Sequence, residues 1–451
     1  MNAEIITIGD ELLRGEIVDS NKARIADRLL LLDVECRHQV SVLDDPADME
    51  DAFLRAAERS DLVLVSGGLG PTRDDLTTEV MAKTFDRKLE LDEVSLAVIE
   101  AFFSRVGREM ADVNRKQAFF PSGAEVLANP IGTAPGFSIE AGRAVFFSMP
   151  GVPRELDKMM DEQVLPKIEA LQRERSAAAE AALGSEQSES NSKAPRVVRA
   201  ALLRTFGMGE STLESELLDL ARDGDVELGF RTSFPDNFLR PFARARTAEE
   251  ADARIAEVVR AIGERLGPIV YGQGDETMES VVGELLRKQG LSIATAESCT
   301  GGLIAERITD VPGSSEYFHG SVVAYSNEAK ISLLGVPANL IEEHGAVSDP
   351  VVRAMAEAAR EKFDCDLAVA TTGISGPGGG TAEKPVGLVW IALASGTGTH
   401  VDSFVFPVDR SRHRALTAQV ALDWIRRSLI GAELVGPSLL RRAGGGSAPN
   451  D

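Results

Sequence analysis

The chain has 451 residues, more than one ordinary hydrophobic core can organise, so two to four domains are expected. Its 43% hydrophobic and 26% charged content is that of a water-soluble globular protein, and a net charge of −23 repels phosphate backbones, which argues against nucleic-acid binding as the main activity. Cys36, Cys299 and Cys365 are far apart with no CxxC spacing, no basic and apolar leader stands at residues 1–20, and no apolar run reaches the roughly 18 residues of a spanning helix; a reducing cytoplasmic setting without membrane or disulfide framework is expected.

In chain order, "EIITIG" (4–9) reads as a buried strand. "DSNKARIADRLLLLD" (19–33) follows with helical periodicity and Ser20 as hydroxyl N-cap. "VECRHQVSVL", "PADMEDAFLRAAERS" and "DLVLVSGG" continue as strand, helix and strand, the alternation of a mostly parallel sheet covered on both faces. Its ligand site belongs at the carboxyl ends of the strands, where "GDELLRGE" and "SGGLGPTRDDLT" fall. This domain spans 1–172. Residues 173–195, rich in Ala, Ser and Glu, read as a polar linker that continues the preceding helix by a turn or two. Residues 196–272 form a small α+β middle module with no evident chemistry, a packing or dimerisation unit. A second α/β domain occupies 276–431. Its helices are "TMESVVGELLRKQG", "CTGGLIAERITD", "NEAKISLLG", "PVVRAMAEAAREKF" and "RSRHRALTAQVALDWIRRSL". Its strands are "LSIATAE", "FHGSVVAYS", "DLAVATTG", "GLVWIALA" and "VDSFVFPV". Residues 432–451 are a flexible tail.

Three segments of the second α/β domain carry chemistry. Ser298 stands where a strand hands over to a helix, and the N–H groups of Cys299, Thr300, Gly301 and Gly302 are candidates to hold an oxyanion; taken alone, Ser298 reads as an N-cap. A serine needs a base, and none of the five histidines lies in a nucleophile motif. Lys330, in the first turn of the "NEAK" helix, is the other option, because the helix dipole and burial both favour its neutral amine; Tyr325 is placed to relay or orient the proton. A core tyrosine and a surface lysine fit that segment too. Thr372 ends a strand before a loop containing Gly373, Gly376, Gly378, Gly379 and Gly380, a loop that lets backbone N–H groups approach an anion and that lacks the Walker ending.

"TAESCTGG", "YSNEAK", "HGAVS" and "TTGISGPGGG…EKPVG", in that order, resemble the C-terminal domain of the CinA family of competence/damage-inducible proteins, which is similar to nicotinamide mononucleotide amidohydrolase. The resemblance covers about 276–430. It implies a Ser298 nucleophile activated by Lys330 and Tyr325, with Thr372 and Arg410 (in "PVDRS") assisting, substrate contacts at Cys299, Thr300, Gly301, Gly373 and Gly376, and no cofactor. "TIGDELLRGEIVDSN", "SGGLGPTRDDLT", "NRKQAFFPSGAEVLANPIGTAPGF" and "MPGVPREL" resemble the family's N-terminal domain, similar to molybdopterin-binding folds and associated with metal-dependent ADP-ribose pyrophosphatase activity. There Gly67, Gly68 and Gly70 let the backbone close on a pyrophosphate. Thr72, Ser20 and Asn21 are further substrate contacts. Asp74, Asp75 and Glu11 are candidate ligands of a divalent cation, although Asp74 and Asp75 also suit a helix N-terminus. "RTFGMGES" matches the family's middle region. The reading is thus a two-activity hydrolase of pyridine-nucleotide salvage, expected as a homodimer acting on small nucleotides. A molybdopterin-binding enzyme and a non-enzymatic competence or recombination scaffold are the alternatives.

Overall fold

The computed structural model describes residues 1–183, 197–221 and 225–437. These divide into two compact units, Met1–Arg199 with Arg244–Ala251, and Ala200–Ala243 with Asp252 onward.

The first unit opens with β1 (Asn2–Ile8), a short helix α1 (Asp10–Leu13), α2 (Asn21–Leu31), β2 (Glu35–Val42), α3 (Pro46–Arg59), β3 (Leu62–Ser66) and α4 (Thr77–Thr84). After it come β4 (Leu89–Leu91), α5 (Glu93–Arg105), β5 (Phe119–Pro121), β6 (Glu125–Leu127), β7 (Gly136–Ala141), β8 (Ala144–Met149), α6 (Pro153–Met159) and α7 (Leu165–Leu183). The main sheet runs β2-β1-β3-β8-β7-β6. The first four strands are parallel and β7 and β6 turn back antiparallel. Alternate residues of each strand face opposite ways. Ile6, Val63 and Val65 therefore pack with α3 and α4, and Ile5, Leu62 and Leu64 with α2, α6 and α7. The expected linker is corrected in its first part: α7 runs on to Leu183, as its Ala- and Glu-rich sequence favours, and residues 184–195 lie outside those described.

Most of the middle module lies in the second unit; its sheet runs β11-β12-β10-β13, with β9 (Val197–Ala200) also pairing β12, β10 at Leu203–Thr205, β11 at Val226–Ser233, β12 at Asp236–Ala245 and β13 at Val270–Gln273, and with α8 (Glu210–Leu217) and α9 (Ala248–Leu266) in the same module. The module is not an isolated domain. Phe206 and Tyr271 belong to the same buried cluster as Val282, Ile304 and Trp424, and Gln419 donates to Asp236 at 2.7 Å.

The remaining elements are α10 (Met278–Gln289), β14 (Ile293–Glu297), α11 (Leu303–Thr309), β15 (Phe318–Val323), α12 (Asn327–Leu334), α13 (Ala338–His344), α14 (Asp349–Lys362), β16 (Leu367–Gly373), β17 (Leu388–Ser395), β18 (Gly398–Val405) and α15 (Arg410–Leu429). The sheet order is β15-β14-β16-β17-β18, parallel among the first three and antiparallel after β16. Ile293 and Val369 face α10, α11 and α15, whereas Ala294, Ala296, Ala368 and Ala370 face α12, α13 and α14. This parity places Ser298 and Thr372 on the α12 side, and Glu297 and Thr371 on the α11 side. The helix expected from Cys299 starts only at Leu303, because Gly301 and Gly302 hold φ values of 62° and 94°, incompatible with α-helix.

The first part of the expected tail is also corrected. Trp424 Nε1 donates to Val435 O at 3.0 Å and Arg427 Nη1 to Glu433 O at 3.2 Å, which holds residues up to 437 in place; residues from 438 lie outside those described. The helix supplying those anchors, α15, is fixed by a buried ion-pair triad: Asp423 accepts from Arg426 at 2.6 Å and from Arg427 at 2.5 Å. Asp423→Ala would leave two buried guanidiniums unpaired and should cost about 3–5 kcal/mol. Chemical denaturation followed by tryptophan fluorescence measures this, since both tryptophans, Trp390 and Trp424, lie in the second unit.

Candidate active site

The strand-to-loop turn at 297–303 is organised by a residue to which the sequence reading gave no role. Glu297 ends β14 fully buried. Its carboxylate accepts from the N–H groups of Gly302 (2.9 Å), Ile304 (3.1 Å) and Ala305 (2.9 Å). The α11 N-terminus, expected to hold an anion, is therefore filled from within the chain. Gly301 N–H is also used, donating to Ser298 O at 3.1 Å. Among the described residues, no acceptor of another residue takes the N–H of Cys299 or Thr300. The candidate oxyanion donors thus narrow from four groups to these two. Arg414 of α15 steadies them by donating to Thr300 O at 2.8 Å, and the Thr300 and Thr371 hydroxyls hydrogen-bond at 2.8 Å.

Ser298 is 7% exposed, and Lys330 Nζ lies 3.0 Å from its Oγ. Ser326 supplies the turn that delivers this lysine, capping α12 by accepting from Ala329 N at 3.1 Å. Lys330 is 1% exposed and burial pushes its pKa below the ordinary lysine value. Two other contacts define its amine: Ala324 O at 2.9 Å and Tyr325 O at 3.3 Å. Carbonyl oxygens can only accept. A neutral amine gives its two N–H groups to them and is left with a lone pair facing the serine hydroxyl. Lys330 is neither a surface lysine nor part of an ion pair in the described structure.

The other expected residues separate into two groups. Thr372 is buried on the Ser298 side of the sheet and its hydroxyl donates to Ala346 O at 2.8 Å, within "HGAVS". Gly373 is enforced by crowding: a Cβ there would stand 2.7 Å from Leu388 O and 3.1 Å from Cys299 Sγ. Tyr325 is at the rim. Its ring is 59% exposed, and its hydroxyl accepts from Arg410 Nη2 at 2.8 Å while Arg410 Nη1 donates to Gly376 O at 2.9 Å. The expected phenol relay is corrected: what Tyr325 offers Lys330 is its backbone carbonyl. Cys299 is buried and its thiol is pushed up to about 12, chiefly by desolvation, so it is not a thiolate near neutral pH.

The carboxyl ends of β1 and β3 enclose a cavity of about 550 Å³, a size that suits a nucleotide. Gly67 and Gly68 form one wall at φ 115° and 66°, where a Cβ would collide with Ile8 O and the Thr77 hydroxyl. Gly70, Glu11, Asp44, Asp74, Asp75 and Glu155 also line it, and among its described lining residues none is Lys or Arg. Asp44 escaped the sequence reading. It clasps Asp10, with Asp10 N–H donating to its carboxylate at 2.9 Å, and burial followed by the charges of Asp10, Glu11 and Asp74 pushes its pKa up. Asp75 is turned into its own loop, accepting from the backbone N–H of Thr72 at 2.9 Å and from the Thr72 hydroxyl. Ser20 is exposed and does not cap α2, because its backbone is already helical (φ −83°, ψ −19°); Asp19 accepts from Lys22 N at 3.4 Å instead. Asn21 is buried and ties the loop ends together, donating to Ser66 Oγ at 3.0 Å and Gly151 O at 2.7 Å. Among the described residues, no cluster of three or more His, Cys, Asp or Glu forms a ready metal cage.

Three family models match in sequence: a probable molybdopterin binding domain over residues 4–170, the damage-inducible protein CinA KH domain over 201–272, and the CinA C-terminal domain over 275–429. A CinA-like protein of Geobacter sulfurreducens is 43% identical over 433 residues, 96% of this chain and 100% of its own. The chain belongs to the CinA family. A putative competence-damage inducible protein of Symbiobacterium thermophilum is 44% identical, covering 96% of this chain and 99% of its own, and a CinA-like protein of Citrifermentans bemidjiense is 42% identical over 95% and 98%. The CinA assignment gives the middle module, read from sequence only as α+β, its KH description. No helix among the described residues is long and apolar enough to cross a membrane.

Glu297→Ala should cost about 3 kcal/mol or more, because the buried Ile304 N–H and its two neighbours lose their acceptor. Glu297→Gln, which keeps one carbonyl oxygen there, should cost less. Tryptophan-detected denaturation measures both, and equal stability of the alanine variant and the wild type would contradict the assignment.

Proposed function

We propose that the C-terminal region hydrolyses the carboxamide of nicotinamide mononucleotide, with Ser298 as nucleophile and Lys330 as base. The observation that carries this reading is the 3.0 Å approach of a buried, charge-disfavoured amine to a serine hydroxyl. The Ser298 proton passes to Lys330 Nζ as Oγ bonds to the carboxamide carbon. The resulting oxyanion faces the Cys299 and Thr300 N–H groups, which are worth roughly 3 kcal/mol each in acyl transfer. The C–N bond then breaks, the leaving nitrogen takes the proton from Lys330 and departs as ammonia. Water gives a proton to the same amine as it attacks the acyl carbon; the ester C–O bond breaks, Ser298 Oγ takes that proton back, and nicotinic acid mononucleotide is released. Tyr325 and Arg410, paired at the rim, act on substrate binding rather than on proton transfer.

For the N-terminal unit we propose metal-dependent cleavage of the ADP-ribose pyrophosphate. The donor set suits a hard divalent cation: the carboxylate residues Glu11, Asp44 and Asp74 line a cavity with no Lys or Arg among its described lining residues. The scattered carboxylates suit Mg²⁺-like binding, in which one or two carboxylates and the substrate phosphates share the ion. When bound, the cation would neutralise phosphate charge. The glycine wall formed by Gly67, Gly68 and Gly70 lets the backbone close on the pyrophosphate, and Asn21 holds the loop ends that shape its mouth.

Both activities are checked by incubating the purified chain with nicotinamide mononucleotide and with ADP-ribose, with and without chelator. Ammonia release should persist in chelator and pyrophosphate cleavage should stop; turnover of neither substrate would favour a non-enzymatic role of the kind the relatives' competence names suggest. Ser298→Ala should abolish ammonia release and Cys299→Ala retain most of it, with the reverse result assigning the nucleophile to Cys299. Lys330→Met should lower kcat by about 10²–10⁴-fold. Because the free amine is the active form, kcat/KM should rise with pH through a pKa below the ordinary lysine value of about 10.4, and Lys330→Met should lack that limb.

A further inference from the structure

His413 has no part in the chemistry above, yet it is fully buried one turn along α15 from Arg410. Its two ring nitrogens reach both stems of the glycine-rich loop. Nδ1 lies 2.9 Å from Ser375 Oγ and Nε2 lies 3.1 Å from Gly387 O. Gly387 O can only accept, so Nε2 carries the hydrogen. Burial lowers the ring's pKa and keeps it neutral, which leaves Nδ1 to accept from the Ser375 hydroxyl. The two stems are joined to each other beside it: Ile374 N donates to Leu388 O at 2.7 Å and Gly387 N to Ile374 O at 2.8 Å. Gly387 also has no room for a side chain, since φ is 94° and a Cβ would stand 2.5 Å from Phe406 O. Between the stems, Gly376, Gly378, Gly379 and Gly380 supply little stiffness of their own. Ordering that loop therefore falls to its attachments; beside the Lys384 Nζ bond to His344 O at 2.5 Å, α15 contributes three on one face, at Arg410 through Gly376 O and at His413 through the two stems.

We propose that His413 is a positioning residue: its imidazole clamps Ser375 and Gly387 to α15 and thereby fixes the glycine-rich loop, whose Gly376 O holds Arg410 at the substrate-binding rim. It touches neither Ser298 nor Lys330, so its loss should reach the reaction through binding and leave the proton transfer intact. This rests on the deamidase reading above.

The test compares wild type, His413→Phe, Ser375→Ala and the double variant in the full chain. Ammonia release from nicotinamide mononucleotide is measured together with backbone hydrogen exchange of the 374–387 segment. His413→Phe should raise KM about tenfold with kcat within about threefold. Ser375→Ala should shift KM in the same direction, and the double variant should be no worse than His413→Phe, because losing the imidazole already leaves the Ser375 hydroxyl without its partner. Exchange should quicken in 374–387 and stay at the wild-type rate in 293–300. A fall in kcat at unchanged KM, or unchanged loop exchange, would overturn the proposal. If His413→Phe fails to fold, Ser375→Ala gives the same two readouts. If wild type releases no ammonia, the deamidase reading fails, and loop exchange alone decides whether the clamp exists.

Discussion

A buried lysine amine facing a serine hydroxyl is the constraint on which the C-terminal site depends. Lys330 is surrounded by two backbone carbonyls and one hydroxyl, without a carboxylate partner among the described residues. Burial disfavours an ammonium there and lowers the amine's pKa from the ordinary lysine value. The neutral form has one lone pair, and geometry aims it at Ser298. Everything else around the turn serves to keep those two groups facing each other. Ser326 caps the helix that carries the lysine, and Glu297 locks the far side of the elbow that carries the serine.

The sheet supplies the register. Ser298 continues β14 beyond Glu297, and its N–H donates to Thr371 O at 3.0 Å, which sets it alongside Thr372 on the same face. Odd-numbered residues of these two strands look toward α11 and α15, and even-numbered ones toward α12. The nucleophile and its base therefore share one face, and the residues that brace the elbow occupy the other. Helix α15 reaches round the edge of this arrangement. Its first two turns hold the tyrosine rim, the glycine-rich loop and the Thr300 carbonyl through Arg410, His413 and Arg414.

Reading the residues in order recovers the parts whose signal is local. Strand and helix spans in the C-terminal region fall within a few residues of those observed, except for α13, which the sequence pattern does not signal; alternation, the Thr277/Ser280 capping box and terminal glycines such as Gly290 and Gly335 are written nearby in the chain. The Ser298–Lys330 pairing is implied by the family resemblance, since the "AYSN" segment alone fits a surface lysine as well. What escaped depends on approach through space. Glu297 looks like one more strand residue until Gly301 and Gly302 bend the following N–H groups back onto it. His413 looks like a core histidine because its partners are 26 and 38 residues away. Asp44 joins Asp10 and Glu11 only when β2 lies beside β1. Motif position points Asp75 to a metal and Ser20 to the α2 N-cap, and the local backbone turns the first into its own loop and denies the second its capping geometry.

The ionisation state of Lys330 is the most direct test of this account. It can be read by nuclear magnetic resonance titration of isotopically labelled lysine side chains in the full chain, with the Lys330 signal assigned by its loss in Lys330→Arg. The account predicts an amine that loses its charge at a pH clearly below that of the exposed lysines. A Lys330 signal that titrates with the exposed lysines, or remains an ammonium beyond them, would contradict it.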